Sequence, residues 1–330
     1  MIPGSPALHR NARFTAGVFF LVFGLSGCAL LLPQTTAMPD EPPAGLPAHV
    51  ELDKVPFFPQ KDYECGPAAL ATTLAAADVK VTAEDLVAQV YLPGRKGSLQ
   101  TEMLATARRY DMVSYQLAPK LEDVLREVAA GFPVIVLQDF GVWPISVWHY
   151  AVVVGYNYPR NRVILRSGEK QRLEMPFAVL EYVWKESKYW AMVAAPPGRI
   201  PATATESGYL AAIAAMERVG SAGAVKTSYT AFLARWPDNL AASIGLANGH
   251  YAAKELKEAE AVLRAAVERH PDSVIALNNL AQTLSDEGRN PEAAELIERA
   301  AALGGPFEAS VRETRELIQT RLRGGDSPKQ

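Results

Sequence analysis

The rhythm of apolar and polar positions changes several times along this chain. "FTAGVFFLVFGL", Phe14 to Leu25, is an almost unbroken apolar run. "CGPAALATTLAAAD", Cys65 to Asp78, is small and apolar on every side, which predicts a helix buried all round; Pro67 falls in its first turn, where proline is tolerated. "TAEDLVAQVYL" opens with Thr82 and carries Asp85 three residues later, a capping pattern. "SLQTEMLATARRY" and "LEDVLREVAAG" keep helical spacing. The period then shortens. "FPVIVLQDF", "WHYAVVVGYNY", "RVILRS" and "YWAMVAA" are rich in β-branched and aromatic residues and predict strands, with "YPRN" as a hairpin loop between the second and third. Helices followed by an antiparallel sheet predict an α+β domain over residues 51–196.

Beyond a proline-rich linker, residues 197–206, the pattern is almost purely helical and repeats every 34 residues. Leu246-Ala247 recurs as Leu280-Ala281, Ala259 as Ala293, Ala266 as Ala300, and Pro237 as Pro271. Small residues at fixed places allow two antiparallel helices to approach closely, and each pair then stacks its apolar stripe on the next. The period and the closing proline resemble the tetratricopeptide repeat. Two clear repeats span Leu240 to Ser273 and Val274 to about Phe307. A degenerate one, about Glu206 to Asn239, keeps mainly "ARWP", and "ASVRETRELIQTRL" reads as a capping helix. The all-α repeat domain is thus expected over 207–323, with a disordered tail at 324–330. Its concave face is the expected site for a protein partner.

Composition adds exclusions. With 33 basic and 36 acidic residues and a formal net charge of −3, no basic excess points to nucleic acid. The N-terminus carries His9, Arg10 and Arg13 ahead of the apolar run, then "LSGC", Leu25 to Cys28. A basic start, an apolar middle and small residues at a cut site describe a secretory signal over residues 1–27. The four residues resemble the lipobox of bacterial lipoproteins, which implies lipidation of Cys28 and export to a membrane. Ala29 implies the outer membrane, facing the periplasm. The alternative is an uncleaved span, since Phe14 to Leu32 is nearly long enough to cross a bilayer. The proline-rich text of residues 28–50 reads as an extended tether holding the next domain roughly 25 to 55 Å from the membrane.

If Cys28 carries lipid, Cys65 is the one free thiol of an exported chain, and an unpaired cysteine there is flagged as reactive. A thiolate at a helix N-terminus feels the positive end of the helix dipole, which can lower its pKa to ~3.5–7.5. Of the histidines, His49 lies in the tether and His250 and His270 in the repeats. Only His149 lies in the α+β domain, at the start of a strand.

"QKDYECGPAAL" and "WHYAVVVGY" together resemble papain-like peptidases, and most closely the bacterial family that processes double-glycine leader peptides, family thirty-nine of the cysteine peptidases. The resemblance covers Val55 to about Ser167. It implies Cys65 as nucleophile, His149 as general base and Gln60 as an oxyanion donor beside the Cys65 N–H. The family's aspartate, which orients the histidine, has no counterpart in "VILRSGEK". Hairpin geometry brings Ser167 to Lys170 opposite His149, so Ser167 or Glu169 takes that place. Glu64 stands where the family has aspartate. Tyr63, Trp143 and Trp148 are candidates to line a substrate cleft. No cluster has metal-ligand spacing, "LPGRKGS" lacks the spacing of a phosphate-binding loop, and no cofactor is expected. Two functions follow. One is a membrane-tethered thiol peptidase whose repeats recruit a peptide or protein substrate; the other is a catalytically retired lipoprotein scaffold. Acyl or amide transfer by the same Cys-His pair is a third possibility.

Overall fold

The computed structural model describes residues 32–60, 64–142 and 144–325. The secretory signal, Cys28, Tyr63, Trp143 and the last five residues of the expected tail lie outside them. The described part opens with helix α1 (Pro33–Ala37) and strand β1 (His49–Glu51), then α2 (Cys65–Ala76), α3 (Ala83–Val90), the short pair β2 (Tyr91–Leu92) and β3 (Gly97–Ser98), α4 (Gln100–Arg109), β4 (Val113–Gln116) and α5 (Leu121–Ala129). Strands β5 (Val134–Asp139), β6 (Trp148–Asn157), β7 (Arg162–Ser167) and β8 (Lys170–Pro176) follow, then α6 (Phe177–Trp184) and β9 (Ala191–Ala195). Seven helices complete the described residues: α7 (Glu206–Met216), α8 (Ala222–Arg235), α9 (Leu240–Ala252), α10 (Leu256–Arg269), α11 (Val274–Asp286), α12 (Asn290–Leu303) and α13 (Glu308–Gly325).

By contact, the described residues divide into two compact units, those of 32–99 with 116–192, and those of 100–115 with 193–325. The main sheet runs in the order β4-β9-β5-β6-β7-β8, and β1 also pairs with β6. The meander β5-β6-β7-β8 is antiparallel throughout. The architecture is therefore a sheet-containing α+β domain followed by a run of helices, as the changing period implied.

Helix α2 is buried without interruption from Cys65 to Leu74, because small side chains let it lie flat beside the sheet. Thr82 and Asp85 form the expected capping box at the start of α3. Strand β6 is the centre of the first unit: Tyr150 to Tyr156 is buried without interruption, the continuous apolar run of a strand covered on both faces.

The segment expected as a free tether is instead bound to the domain from Pro33 onward. Backbone N–H groups of Gln34 and Thr35 donate to the Glu181 carboxylate at 2.9 and 2.6 Å, and the Thr35 hydroxyl donates to it as well. Gln34 Oε1 accepts the Leu121 N–H at the start of α5, at 2.6 Å. Further along, Leu46 is buried, Tyr158 donates its hydroxyl to the Pro39 carbonyl, and β1 zips onto β6 from His49 to Glu51. The physical reason is Glu181. It is fully buried, and a buried carboxyl group is tolerated only with donors at hand; the strap supplies them.

In the second unit, the stretch expected as a loose linker is partly packed: Pro201 and Ala204 are buried, and the Thr205 hydroxyl caps α7 through the Gly208 N–H. Each expected repeat is a pair of antiparallel helices, α9 with α10 and α11 with α12, and the degenerate repeat is α7 with α8. Helices α9 to α13 share a core that joins Ala247, Leu263, Leu277, Leu280, Leu284 and Ala300. The capping helix α13 continues to Gly325, so the first two residues of the expected disordered tail are helical.

Candidate active site

The candidate residues converge on the N-terminus of α2 and the turn between β7 and β8. Cys65 opens α2, and Glu64, the residue before it, makes no side-chain cap. The first helical N–H groups are therefore free for another acceptor, and that acceptor is the cysteine sulfur. N–H groups of Cys65, Gly66 and Tyr150 all favour its thiolate. Tyr150 is the residue after His149, so the sulfur lies beside the peptide that carries the candidate base.

Burial decides the thiol's charge. Cys65 is only 7% exposed, and desolvation pushes it above its ordinary value of 9.0 despite the three N–H groups. The helix dipole was expected to lower it; the dipole is outweighed because the sulfur is enclosed by α2 and β6. His149 moves the other way for the same reason, since burial holds its imidazole below the ordinary 6.5. At neutral pH the Cys65 thiol and the His149 imidazole are therefore both uncharged.

Strands β7 and β8 turn through Gly168 and Glu169, with Ser167 paired to Lys170. Gly168 has φ +60°, a conformation natural to glycine in a tight hairpin. Two features of this turn hold the site. The Ser167 hydroxyl is 2.9 Å from His149 Nε2, and the Gly168 carbonyl accepts the Gln60 N–H at 3.1 Å. A bulge in the β6–β7 ladder between Val153 and Gly155 shifts the register by one residue and sets Ser167 diagonal to the histidine. Of the two orienters left open, Ser167 makes the hydrogen bond, and Glu169 is exposed at the tip.

Gln60, Cys65, Ser167 and Gly168 line one small cavity together with Tyr150 and Arg166. Its volume, about 10 Å³, accommodates about one water molecule. Arg166 is buried beneath it and donates to the carbonyls of Val55 and Gln171. Gln138 stands opposite His149 in the β5–β6 register and is fully buried. Phe140 packs against the imidazole with ring centroids 5.8 Å apart.

Residue type alone did not reveal these supports. Tyr150 contributes a main-chain N–H, and Gln138 is set opposite the histidine by strand register, readable only once the β5–β6 loop length is known. That loop is closed by Asp139, which accepts the N–H groups of Gly141 and Val147 at 2.8 and 2.7 Å. Burial works against its charge, yet these donors and the Ser146 hydroxyl hold its carboxyl below the usual range. The closed loop presents Phe140, Val142, Ile145, Val147 and Trp148, each between 46% and 82% exposed.

Residues 52–192 match the model of the Peptidase_C39 like family. The C39-like domain so defined contains Gln60, Cys65, His149 and Ser167. Residues 209–273 and 246–306 match the tetratricopeptide repeat model, a module associated in general with protein–protein interaction. Among solved structures, the chain is similar to a C39-like peptidase candidate from Bacillus anthracis. The two share 19% identity over 44% of this chain and 96% of that one, with a TM-score of 0.37. No curated protein matches the chain significantly.

Among the described residues, no group of three or more His, Cys, Asp and Glu side chains could hold a metal ion, and no helix is long and apolar enough to cross a membrane.

Proposed function

We propose that the C39-like domain is a thiol peptidase in which Cys65 attacks a peptide carbonyl and His149 moves the proton. The observation that carries this reading is the shared turn: Ser167 holds His149 while Gly168 holds Gln60, and Gln60, Cys65 and Ser167 face one cavity. A core has no need of that combination.

With His149 Nε2–H donating to Ser167, Nδ1 is the free base. It takes the thiol proton as sulfur adds to the carbonyl carbon. The oxyanion receives the Cys65 N–H and a Gln60 side-chain N–H. Collapse expels the amine, which takes the proton from the imidazolium, and leaves a thioester. Water, deprotonated by the same imidazole, releases the acid and restores the thiol. The exposed loop of Phe140, Val142, Ile145, Val147 and Trp148 supplies apolar surface for substrate side chains. The helical repeats recruit a substrate or partner protein. Lipid on Cys28 anchors the chain to a membrane, with the outer membrane and the periplasm as the expected address.

The alternative reading, a retired peptidase domain serving as scaffold, is favoured by one feature: a serine, not a carboxylate, faces a histidine that must become cationic. Alkylation kinetics separate the two. For a peptidase, Cys65 reacts with a small alkylating reagent at a rate that falls at least tenfold in His149→Ala at pH 7.5. For a scaffold, the rate is slow and indifferent to that substitution.

A further inference from the structure

The docking of residues 33–51 fixes where the bilayer lies relative to the C39-like domain, and this inference rests on the anchoring reading above. The chain is bound at Gln34 and Thr35, whose N–H groups sit on the Glu181 carboxylate. Gln34 is held on its other side as well, through Leu121 N–H to its Oε1 and from its Nε2 to the Pro119 carbonyl at 3.1 Å. Only four residue steps separate Cys28 from Leu32, and a fully extended chain covers at most about 14 Å in four steps. The uncleaved alternative, with the apolar run spanning the membrane, leaves a still shorter gap. Either anchor therefore brings the lipid surface against the part of the domain that holds Gln34.

That part is α6 and its continuation. Glu181 turns inward to the strap, while Val179 and Tyr182 turn outward, 44% and 55% exposed. With Lys185 they are spaced by three and form one stripe. The Lys185 ammonium lies 4.5 Å from the Tyr182 ring centre, an arrangement of aromatic ring and cation suited to the headgroup layer of a membrane. Lys120, beside the Gln34 clamp, and Lys188 are exposed, against Glu122 and Glu186 of opposite sign. An aromatic and an aliphatic side chain beside a lysine fit a lipid headgroup interface better than a purely apolar protein groove.

We infer that the Val179–Tyr182–Lys185 face of α6 rests on the bilayer, held there by the clamp of Gln34 and Thr35 on Glu181. The domain then rides on the membrane surface rather than swinging on a long tether.

The test uses the full chain, anchored by its own N-terminus in vesicles of phosphatidylethanolamine and phosphatidylglycerol. A fluorophore is placed on Glu186→Cys, or on Lys170→Cys as a distant control at the β7–β8 turn, each in a Cys65→Ala background. Lipids brominated near the headgroup quench nearby fluorophores. The expected result is several-fold stronger quenching at position 186 than at 170, falling to the control level when Gln34→Pro and Thr35→Pro remove the two N–H donors of the strap. Equal quenching at 186 and 170 in a chain whose N-terminal mass shows the lipid or the uncleaved span overturns the docking and leaves the anchor intact. Stronger quenching of a probe on Ile145→Cys than on Glu186→Cys overturns it in favour of the exposed β5–β6 loop. Failure of the full chain to float with the vesicles overturns the anchor, and the docking with it.

Discussion

The hydrogen bond between Ser167 and His149 is the most informative place to perturb the C39-like domain. At 2.9 Å it is a neutral bond of ordinary length, and such bonds contribute about 0.5–1.5 kcal/mol net. If its role is to hold the imidazole toward the sulfur, Ser167→Ala lowers the rate of Cys65 alkylation by roughly 2- to 12-fold, since about 1.4 kcal/mol is tenfold. Ser167→Asp is the more searching change. A carboxylate at hydrogen-bond distance raises the pKa of a neighbouring cation by roughly 1–3 units. It would act against the burial that holds His149 below 6.5. Transfer of the thiol proton to the imidazole then becomes easier by about 1.4–4 kcal/mol, and the alkylation rate at pH 7 rises ten-fold or more. The assay is a rate-against-pH series followed by mass spectrometry, with the His149 imidazole titrated in parallel by NMR and folding checked by circular dichroism. A folded Ser167→Asp protein whose histidine titrates as before, with unchanged rate, would refute the reasoning; so would a Ser167→Ala protein that reacts at the wild-type rate.

Other outcomes follow from the same coordinates. Because burial raises the Cys65 thiol above 9.0, the His149→Ala protein, left without a base, should alkylate measurably only as pH climbs past 9; a plateau already reached at pH 7 would contradict the burial argument. Peptide hydrolysis by the wild type should lose activity on acidification only below pH 6.5, where the depressed His149 at last becomes protonated, so an acid limb centred above 6.5 counts against His149 as the base. Gln60→Ala should lower kcat by about 10²–10³-fold with KM little changed, the cost of one oxyanion donor; a selective rise in KM would move Gln60 to substrate binding. Gly155→Ala should destabilise the domain by more than about 1 kcal/mol in urea unfolding, because the added methyl would meet the Val50 carbonyl at 2.6 Å across the β1–β6 pair; unchanged stability would mean that β1 is not firmly paired.

Much of this fold was legible in the pattern of residues. The small apolar helix after Cys65, the capping box at Thr82 and the 34-residue period each report a purely local requirement, so each survives folding unchanged. The pieces that escaped depend on partners distant in sequence. Strand β8, "KQRLEMP", is mostly polar and exposed along one edge of the sheet, and nothing in its own text announces pairing with β7. Helix α6, "FAVLEYVW", carries the aromatic and branched residues of a strand, and becomes helical where it covers the sheet and buries Glu181. The proline-rich strap reads as free because its binding groups are backbone N–H groups, which almost every residue has. The site followed the same division. Cys65, His149 and Gln60 were singled out as candidates by residue type and order, and Ser167 by counting around the hairpin. The direction of the Cys65 shift was missed because the dipole at a helix end is visible in sequence, whereas enclosure by β6 is not.

The central claim is that Cys65 cuts peptide bonds. Its most direct test compares, across the whole proteome, the new protein N-termini in cells carrying the wild-type chain with those in cells carrying Cys65→Ala at equal abundance. The account predicts a set of ends present only with the cysteine, and lost again in His149→Ala. Identical ends in all three strains, with every protein folded and in place, would contradict it.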